Sequence, residues 1–413
     1  MERREIAVVG GGLAGTATAI ALARAGFDTI LLAPPAPTDF RSTALIGASM
    51  DFLDRIDLAG PIRAKGESLA VMRLVDDTGR LFRAPTIEFR ASEIDRPAFG
   101  TNILNADLAA LLDEAVDQTD RLERRAIAAS GVETDRDGAV VTLADGNKIA
   151  VSLVVAADGR RSVMREAAGI KTRDWRYPQT ALVFNIGHDV PHDQISTEFH
   201  TKTGPFTQVP LPGRRSAIVW VEKPDLAELY VDVKTEKLER IVEEKMHSIL
   251  GRVTIESEIQ AFPLSGTSVD RLTGERLALV GEAAHVFPPI GAQGLNLGLR
   301  DCQALVDCLL ESRDDPGRAS TLLSFEAKRR ADVASRTVGV DLLNRSLLAD
   351  MLPVQFARSL GLSAMAAIPP LRRFAMREGV APGSGLFRSP WRAAKEHRST
   401  KRAEREMAGR EEI

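Results

Sequence analysis

The sequence predicts an α/β protein in which a Rossmann-like nucleotide-binding domain is interleaved with a β-sheet domain and followed by a helical C-terminal region. Three observations predict it. A short apolar strand, a glycine-rich turn, a helix and a second strand fill the first 32 residues, which is how dinucleotide-binding units open. Two further apolar strands, at 151–157 and 277–280, run into Asp158-Gly159 and Gly281-Glu282. Between them strands dominate 179–262, and beyond Gly294 the pattern is mostly helical. The chain has 413 residues, 44% hydrophobic and 27% charged, enough apolar mass for a sizeable core and for two domains.

Taken in order, residues 6–9 form the first strand, and a helix runs to Ala25, closed by Gly26 at its C-terminal end. Residues 28–32 form the second strand. A hairpin is expected over 71–81, turning at Asp76-Asp77-Thr78-Gly79, and a helix over 104–118. Residues 130–155 read as a meander with turns at Asp137-Gly138 and Asp145-Gly146. A helix near 234–250 interrupts the later strands. No repeat or low-complexity linker separates the parts, so the domains are expected to be interleaved.

Charge is nearly balanced, with 54 Lys/Arg against 57 Asp/Glu, which argues against nucleic acid as a partner. Residues 358–413 are the exception, with 12 Lys/Arg and 6 Asp/Glu; a solvated helical tail or an anionic membrane surface would both account for them. The apolar, arginine-dotted stretch 347–376 is open to the same two readings, packing or peripheral membrane contact. Cys302 and Cys308, six apart in a helix, make no disulfide framework, and a reducing compartment is expected. No signal peptide and no bilayer-spanning run is expected.

Three segments carry chemistry. In Gly10-x-Gly12-x-x-Gly15, the glycines serve a tight turn, the approach of a pyrophosphate to the backbone, and close packing of helix on strand. The acid that commonly closes the second strand and binds a ribose is replaced by Ala33, so the ribose must find another acceptor or be held more weakly; Asp39 is near in sequence but the less favoured reading. Asp158-Gly159-Arg160-Arg161-Ser162 sets a carboxylate at a strand's end, and an ordinary helix-capping turn would look the same. The most specific segment runs from Gly281-Glu282-Ala283-Ala284-His285 through Phe287-Pro288-Pro289-Ile290-Gly291 to Gly294-Leu295-Asn296. It offers an acid for a polyhydroxy chain and a helix start for an anionic ring. His285 reads better as a structural hydrogen-bonding residue than as an acid/base. His188 and His192 have metal-like spacing, yet nothing completes a site, and no metal is expected.

Together these segments resemble the FAD-dependent aromatic monooxygenases of the para-hydroxybenzoate-hydroxylase type, and more narrowly the ubiquinone-biosynthesis hydroxylases of the UbiH/UbiF kind. Supporting stretches include Asp39-Phe40-Arg41-Ser42-Thr43, Asn102-Ile103-Leu104-Asn105, Trp175-Arg176-Tyr177-Pro178-Gln179 and Ala217-Ile218-Val219-Trp220. The resemblance implies a Rossmann-like FAD-binding domain (1–70, 95–178 and 265–346), a β-sheet substrate domain (71–94 and 179–264), and a helical C-terminal region with its tail (347–413). It implies that Gly10, Gly12 and Gly15 hold the FAD pyrophosphate, that Arg41 lies along the cofactor, and that Asp158 and Gly159 serve FAD. Glu282 would take the ribityl chain in place of an Asp, Gly294, Leu295 and Asn296 would meet the flavin ring, and Pro289 and Gly291 would be the catalytic-edge residues. The implied activity is hydroxylation of a polyprenylated phenol through a flavin C4a-hydroperoxide, with O2 and NAD(P)H or another electron donor as co-substrates. A soluble aromatic acid as substrate, or a flavin-binding subunit of low activity, are the alternatives. Other ubiquinone-biosynthesis proteins and a second copy of the chain are the implied partners. The expected location is cytoplasmic, peripheral at the inner face of the inner membrane. Phe206, Gln208 and Trp220 are candidates for the substrate roof, more readily explained as core.

Overall fold

A computed structural model describes residues 1–35, 37–79, 84–288, 293–348, 361, 363–365 and 367–380. The chain opens with β1 (Glu2–Val9), α1 (Leu13–Arg24) and β2 (Thr29–Leu32). Helix α1 is rich in Ala, a strong helix former, and its residues from Gly15 to Ala23 are buried. It ends as expected: Gly26, at φ +95°, donates to Ala23 O, and Phe27 N reaches back to Leu22 O. Next come β3 (Ser42–Ile46), α2 (Ala48–Arg55), α3 (Ala59–Lys65), β4 (Glu67–Leu69), β5 (Val71–Asp76), β6 (Ile87–Arg90), β7 (Gly100–Leu104) and α4 (Asn105–Asp117). The expected hairpin exists, but its second strand is β6 rather than the residues up to 81. Asp76 delays the return: its carboxylate accepts from Thr78 and from Ala84 N, bracing a longer loop.

The expected meander is β9 (Ala129–Thr134), β10 (Ala139–Leu143) and β11 (Lys148–Ala156), preceded by β8 (Leu122–Arg125). Helix α5 (Val163–Ala167) leads to β12 (Thr172–His188), β13 (Ile195–His200), β14 (Pro205–Leu211) and β15 (Arg215–Glu222). Helices α6 (Pro224–Val231) and α7 (Thr235–Lys245) precede β16 (Val253–Ile255), β17 (Gln260–Val269), β18 (Thr273–Gly274), β19 (Leu277–Leu279) and β20 (His285–Val286). The chain continues through α8 (Gln293–Glu311), α9 (Ala319–Leu348) and α10 (Pro369–Val380).

One sheet runs β18-β19-β11-β1-β2-β8, with β10 and β9 added beside β11. Its central strands β19, β11, β1, β2 and β8 are parallel. Such strands are covered on both faces and read as unbroken apolar runs, as Ile6–Val9 and Leu153–Ala156 do, all at most 4% exposed. The second sheet runs β20-β17-β12-β15-β14-β13-β5-β6 and is largely antiparallel; β3-β7-β4 form a third. In the second sheet, Leu182, Phe184, Phe206, Ile218 and Trp220 share a core with Leu238, Val242 and Met246 of the α7 region. Burying each such side chain contributes about 1.5–3 kcal/mol.

Strands β12 and β17 lie side by side from Thr172↔Val269 to Val183↔Gln260, with one register shift between Arg176 and Thr180. Each is a single strand, so both run through the boundaries expected at 178 and 265. Among the described residues, no helix is long and apolar enough to cross a membrane.

Candidate active site

The parallel sheet brings the three chemical segments to one edge. Val9 pairs with Ala156, and Ala156 with Leu279, so the turns after β1, β11 and β19 leave the sheet in a single row. Ala157 N donates to Val9 O and Val280 N to Ala156 O, extending that row to the threshold of each turn. A crevice beyond the carboxyl ends of parallel strands is where open α/β sheets bind ligands.

At the first turn, Gly10 has φ +116°, and a Cβ there would lie 2.2 Å from Ala157 O. A Cβ on Gly15 would lie 2.1 Å from Gly10 O, so the helix rests directly on the turn. By contrast, a Cβ on Gly12 would meet no atom within 4 Å. Gly12 is the N-cap of α1 without a side-chain cap, and the first turn carries no acid. Its donors and positive dipole end therefore face open space, which is what a phosphate needs.

At the second turn, Asp158 Oδ2 accepts from Met164 N at 3.2 Å, while Oδ1 is buried without a partner. Gly159 is at φ +80° with open space around it. Arg165 was not singled out from the sequence, and it joins the second segment to the third. Buried, it donates to Ala283 O and Arg160 O, both at 2.8 Å. No short motif announces it; its role depends on strands distant in sequence.

At the third turn, Glu282 is about half exposed and pairs with Arg160 Nε at 3.2 Å. Arg160 also reaches Ser265 Oγ at 3.3 Å. Arg41 lies over the Phe262 ring at 5.1 Å and grips Asp39 with two bonds of 2.8 and 2.7 Å. The bonds to Asp39, with the Glu282 charge beyond them, raise the Arg41 guanidinium above its ordinary value. Burial pushes the Asp39 carboxyl up, but the bonds from Arg41 and Asn105 bring it below the usual carboxylate range. Asp39 is thus committed to protein partners. Ala33 is buried at the end of β2, its Cβ filling the space in front of Gly11.

Gly294 is exposed, with open space around it, and Leu295 is partly buried. Asn296 donates to Ala44 O at 2.7 Å and accepts from Ile46 N at 2.9 Å, completing the free edge of β3 with its side chain. Pro289 and Gly291 lie outside the described residues. His285 is buried in a charged network behind the crevice. Its Nε2 is 2.6 Å from Asp301 Oδ2, and Asp301 Oδ1 accepts from Arg329 Nε at 2.7 Å. Asp332 then bridges Arg329 and Arg300. Burial favours the neutral Asp301 acid, but His285 and Arg329 hold its carboxyl below the ordinary value. The sequence marked His285 as a structural hydrogen-bonding residue but not its partners, because Arg300, Asp301, Arg329 and Asp332 are ordinary helical residues until α8 and α9 are set side by side.

Other candidates are absorbed by packing. Phe206 and Trp220 face α6 and α7, away from the crevice, and Gln208 donates to Ser216. His188 bonds to Ser216 and His192 to Leu211 O. Cys302, buried against Thr18, has its thiol pushed up to about 12 by burial.

A family model for the FAD binding domain matches residues 3–339. The chain belongs to the FAD-binding-domain family. The FAD-binding fold accounts for the open space at Gly12, the uncapped start of α1 and the orphaned Asp158 oxygen, and the residues present fit that cofactor. Ubiquinone hydroxylase UbiL of Rhodospirillum rubrum is 33% identical over 391 residues, covering 91% of this chain and 89% of its own. The 3-demethoxyubiquinol 3-hydroxylase of Escherichia coli is 31% identical, covering 90% and 97%. Among solved structures, PqsL of Pseudomonas aeruginosa shares the fold at a TM-score of 0.74 and 24% identity, covering 87% of this chain and 100% of its own. The p-nitrophenol 4-monooxygenase PnpA of Pseudomonas putida does so at 0.76 and 18%, covering 92% and 98%. This member of the FAD-binding family has the architecture of a flavoprotein hydroxylase.

Proposed function

We propose that this chain is an FAD-dependent monooxygenase that hydroxylates the ring of a polyprenylated phenol in ubiquinone biosynthesis. The observation that carries the reading is the alignment of the turns after β1, β11 and β19 along one crevice. The substrate class is supported by the likeness to UbiL along nearly the whole of both chains. FAD, when bound, supplies the oxygen-transfer chemistry, with O2 and NAD(P)H or another electron donor as co-substrates.

The chain's own residues bind, orient and keep water out. Gly10, Gly12, Gly15 and the start of α1 would hold the pyrophosphate. Arg41, Asp158, Gly159 and Glu282 would line the cofactor, and Gly294, Leu295 and Asn296 would meet its ring, Asn296 through its backbone. Pro289 and Gly291 would border the substrate edge. In this reading residues 1–70, 95–178 and 265–346 carry the flavin, and 71–94 and 179–264 cover the substrate. Val183, Val219, Val221, Leu264 and Phe262 form a separate apolar cluster on the sheet face opposite α7. Such a wall suits a lipid-tailed ring and excludes water from the reacting centre.

Residues 347–413 would supply contacts to a partner or to the membrane. Ile368, just ahead of α10, and Leu371 and Phe374 within it are exposed at three-residue spacing, beside exposed Arg373. Quinone profiling of a strain lacking this protein tests the function: a prenylated ring short of one hydroxyl should accumulate and ubiquinone should fall. Unchanged ubiquinone in a strain without a redundant hydroxylase would refute it.

A further inference from the structure

We propose that Asp301 is a positioning residue for the cofactor: from α8 it pins both ends of the turn that carries Glu282, and so sets how tightly FAD is held. The assignment rests on the proposed placement of Glu282 along the cofactor and adds the residue that holds it there. Asp301 is fully buried in the middle of α8. Its Oδ2 faces the turn, accepting from Gly281 N at 3.1 Å and from His285 Nε2 at 2.6 Å. Its Oδ1 faces α9, accepting from Arg329 Nε at 2.7 Å. Gly281 and His285 bracket Glu282, so one carboxylate oxygen fixes the chain on either side of that acid.

Close packing makes the turn sensitive to this grip. Gly281 has φ +62°, and a Cβ there would lie 3.3 Å from the Cβ of Ala14, in the first turn of α1. From the other side, a Cβ on Gly298 of α8 would lie 3.1 Å from Gly281 Cα. The turn is wedged between the helix start that would hold the pyrophosphate and the helix that bears Asp301. A shift at Gly281 therefore changes the separation of Glu282 from the start of α1, two points that would grip one cofactor. At the far end of the turn, His285 is fixed by the same oxygen and by the pairing of β20 with β17. The bond to a carboxylate puts the imidazole proton on Nε2.

Charge supports a task beyond packing. Burial pushes the Asp301 carboxyl up, but His285 and Arg329 hold it below the usual carboxylate range, so both oxygens accept. A joint between α8 and α9 exists without it, because Asp332 bonds both Arg300 and Arg329. Burying a further carboxylate carries a desolvation cost that an apolar residue would avoid. What Asp301 adds is the hold on the turn. An amide cannot reproduce it. Asparagine has one acceptor oxygen: turned to the turn, it sets its NH2 against the Arg329 donor; turned to Arg329, it sets its NH2 against Gly281 N–H.

The test is FAD affinity, with Kd read from free-flavin fluorescence as the FAD-loaded protein is diluted, and folding checked by thermal melts. Glu282→Ala and Asp301→Asn should each weaken FAD about tenfold. Because Asp301 acts through the turn that carries Glu282, the double variant should also lose about tenfold, not about a hundredfold. Arg329→Met leaves both bonds to the turn and should change Kd by less than about twofold, whatever it does to the melting temperature. His285→Phe removes one of the two bonds, should weaken FAD about threefold, and supplies the same cycle with Glu282→Ala if Asp301→Asn does not fold. Unaltered affinity in folded Asp301→Asn or His285→Phe, effects that multiply with Glu282→Ala, or an Arg329→Met loss equal to that of Asp301→Asn would each overturn the assignment while leaving Glu282 at the cofactor. Unaltered affinity in Glu282→Ala removes the proposed placement of Glu282, and this assignment with it.

Discussion

The parallel and antiparallel sheets solve the problem of holding a ligand in opposite ways. At the parallel sheet the contact surface is backbone: turns with glycines, an uncapped helix start and one orphaned carboxylate oxygen, each a few residues past a strand end. At the antiparallel sheet it is side chain, with one face spent on α6 and α7 and the other kept as a small apolar cluster. The difference teaches that damage at the first sheet should strike the cofactor, whereas damage at the second should strike stability or substrate and spare the flavin.

The sharpest way to break that contrast is in the packed face of the antiparallel sheet. Phe206 is fully buried between Phe199 and Trp220. Phe206→Ala should cost about 3–5 kcal/mol in urea unfolding, and the protein that remains folded should keep a normal flavin-to-protein absorbance ratio. Asp301→Asn should cost somewhat less, about 3 kcal/mol, because it removes the buried carboxylate that both His285 and Arg329 contact and leaves Arg329 with Asp332 alone. This variant also has a pH signature. The folded carboxyl is depressed, so its contribution is fully present above the unfolded Asp value of about 3.9 and is lost as pH falls through the lower folded value. The wild type should lose stability across that acid window, and Asp301→Asn should lose less of it.

Gly15→Val carries a smaller expected stability cost, about 1–3 kcal/mol by overpacking against Gly10 O and the Ala157 side chain. Its effect on the cofactor should be complete, giving colourless protein after incubation with FAD. A yellow, fully loaded variant would show that the turn tolerates displacement. Smallest of all, Glu282→Gln should shift unfolding by less than about 1 kcal/mol, since its pairing with Arg160 is half exposed. A larger loss in thermal melts would mean that the Arg160 bridge holds the second and third turns together.

Legibility in the sequence follows the same divide. Gly10, Gly12, Gly15, Asp158 and Glu282 could be read because a strand, a turn and a helix start are contiguous, and the spacing itself encodes the geometry. The central strands β1, β11 and β19 were legible as short apolar runs for the same local reason. What escaped was long-range. The β3-β7-β4 sheet, the side chain of Asn296 bonding an edge strand, and the Arg165 staple need partners distant in the chain. Asn105 and Asp39 lay in stretches already noticed, yet only the fold shows that they bond each other and Arg41. The Asp301–Arg329 pair had no signature at all, because charged residues at helical spacing ordinarily mark a wetted face.

Strands β12 and β17 are common property of both halves, zipped together for much of their length. A clam-like opening about a flexible linker is therefore closed to this molecule, because it would tear an inner ladder before it freed anything. The ladder is interrupted where the zipper skips, at Tyr177-Pro178-Gln179. That skip adjoins Trp175, which bonds the Tyr177 hydroxyl and lies flat against Gly266. With that ladder intact, the passage of the proposed substrate falls to elements hung on its margins.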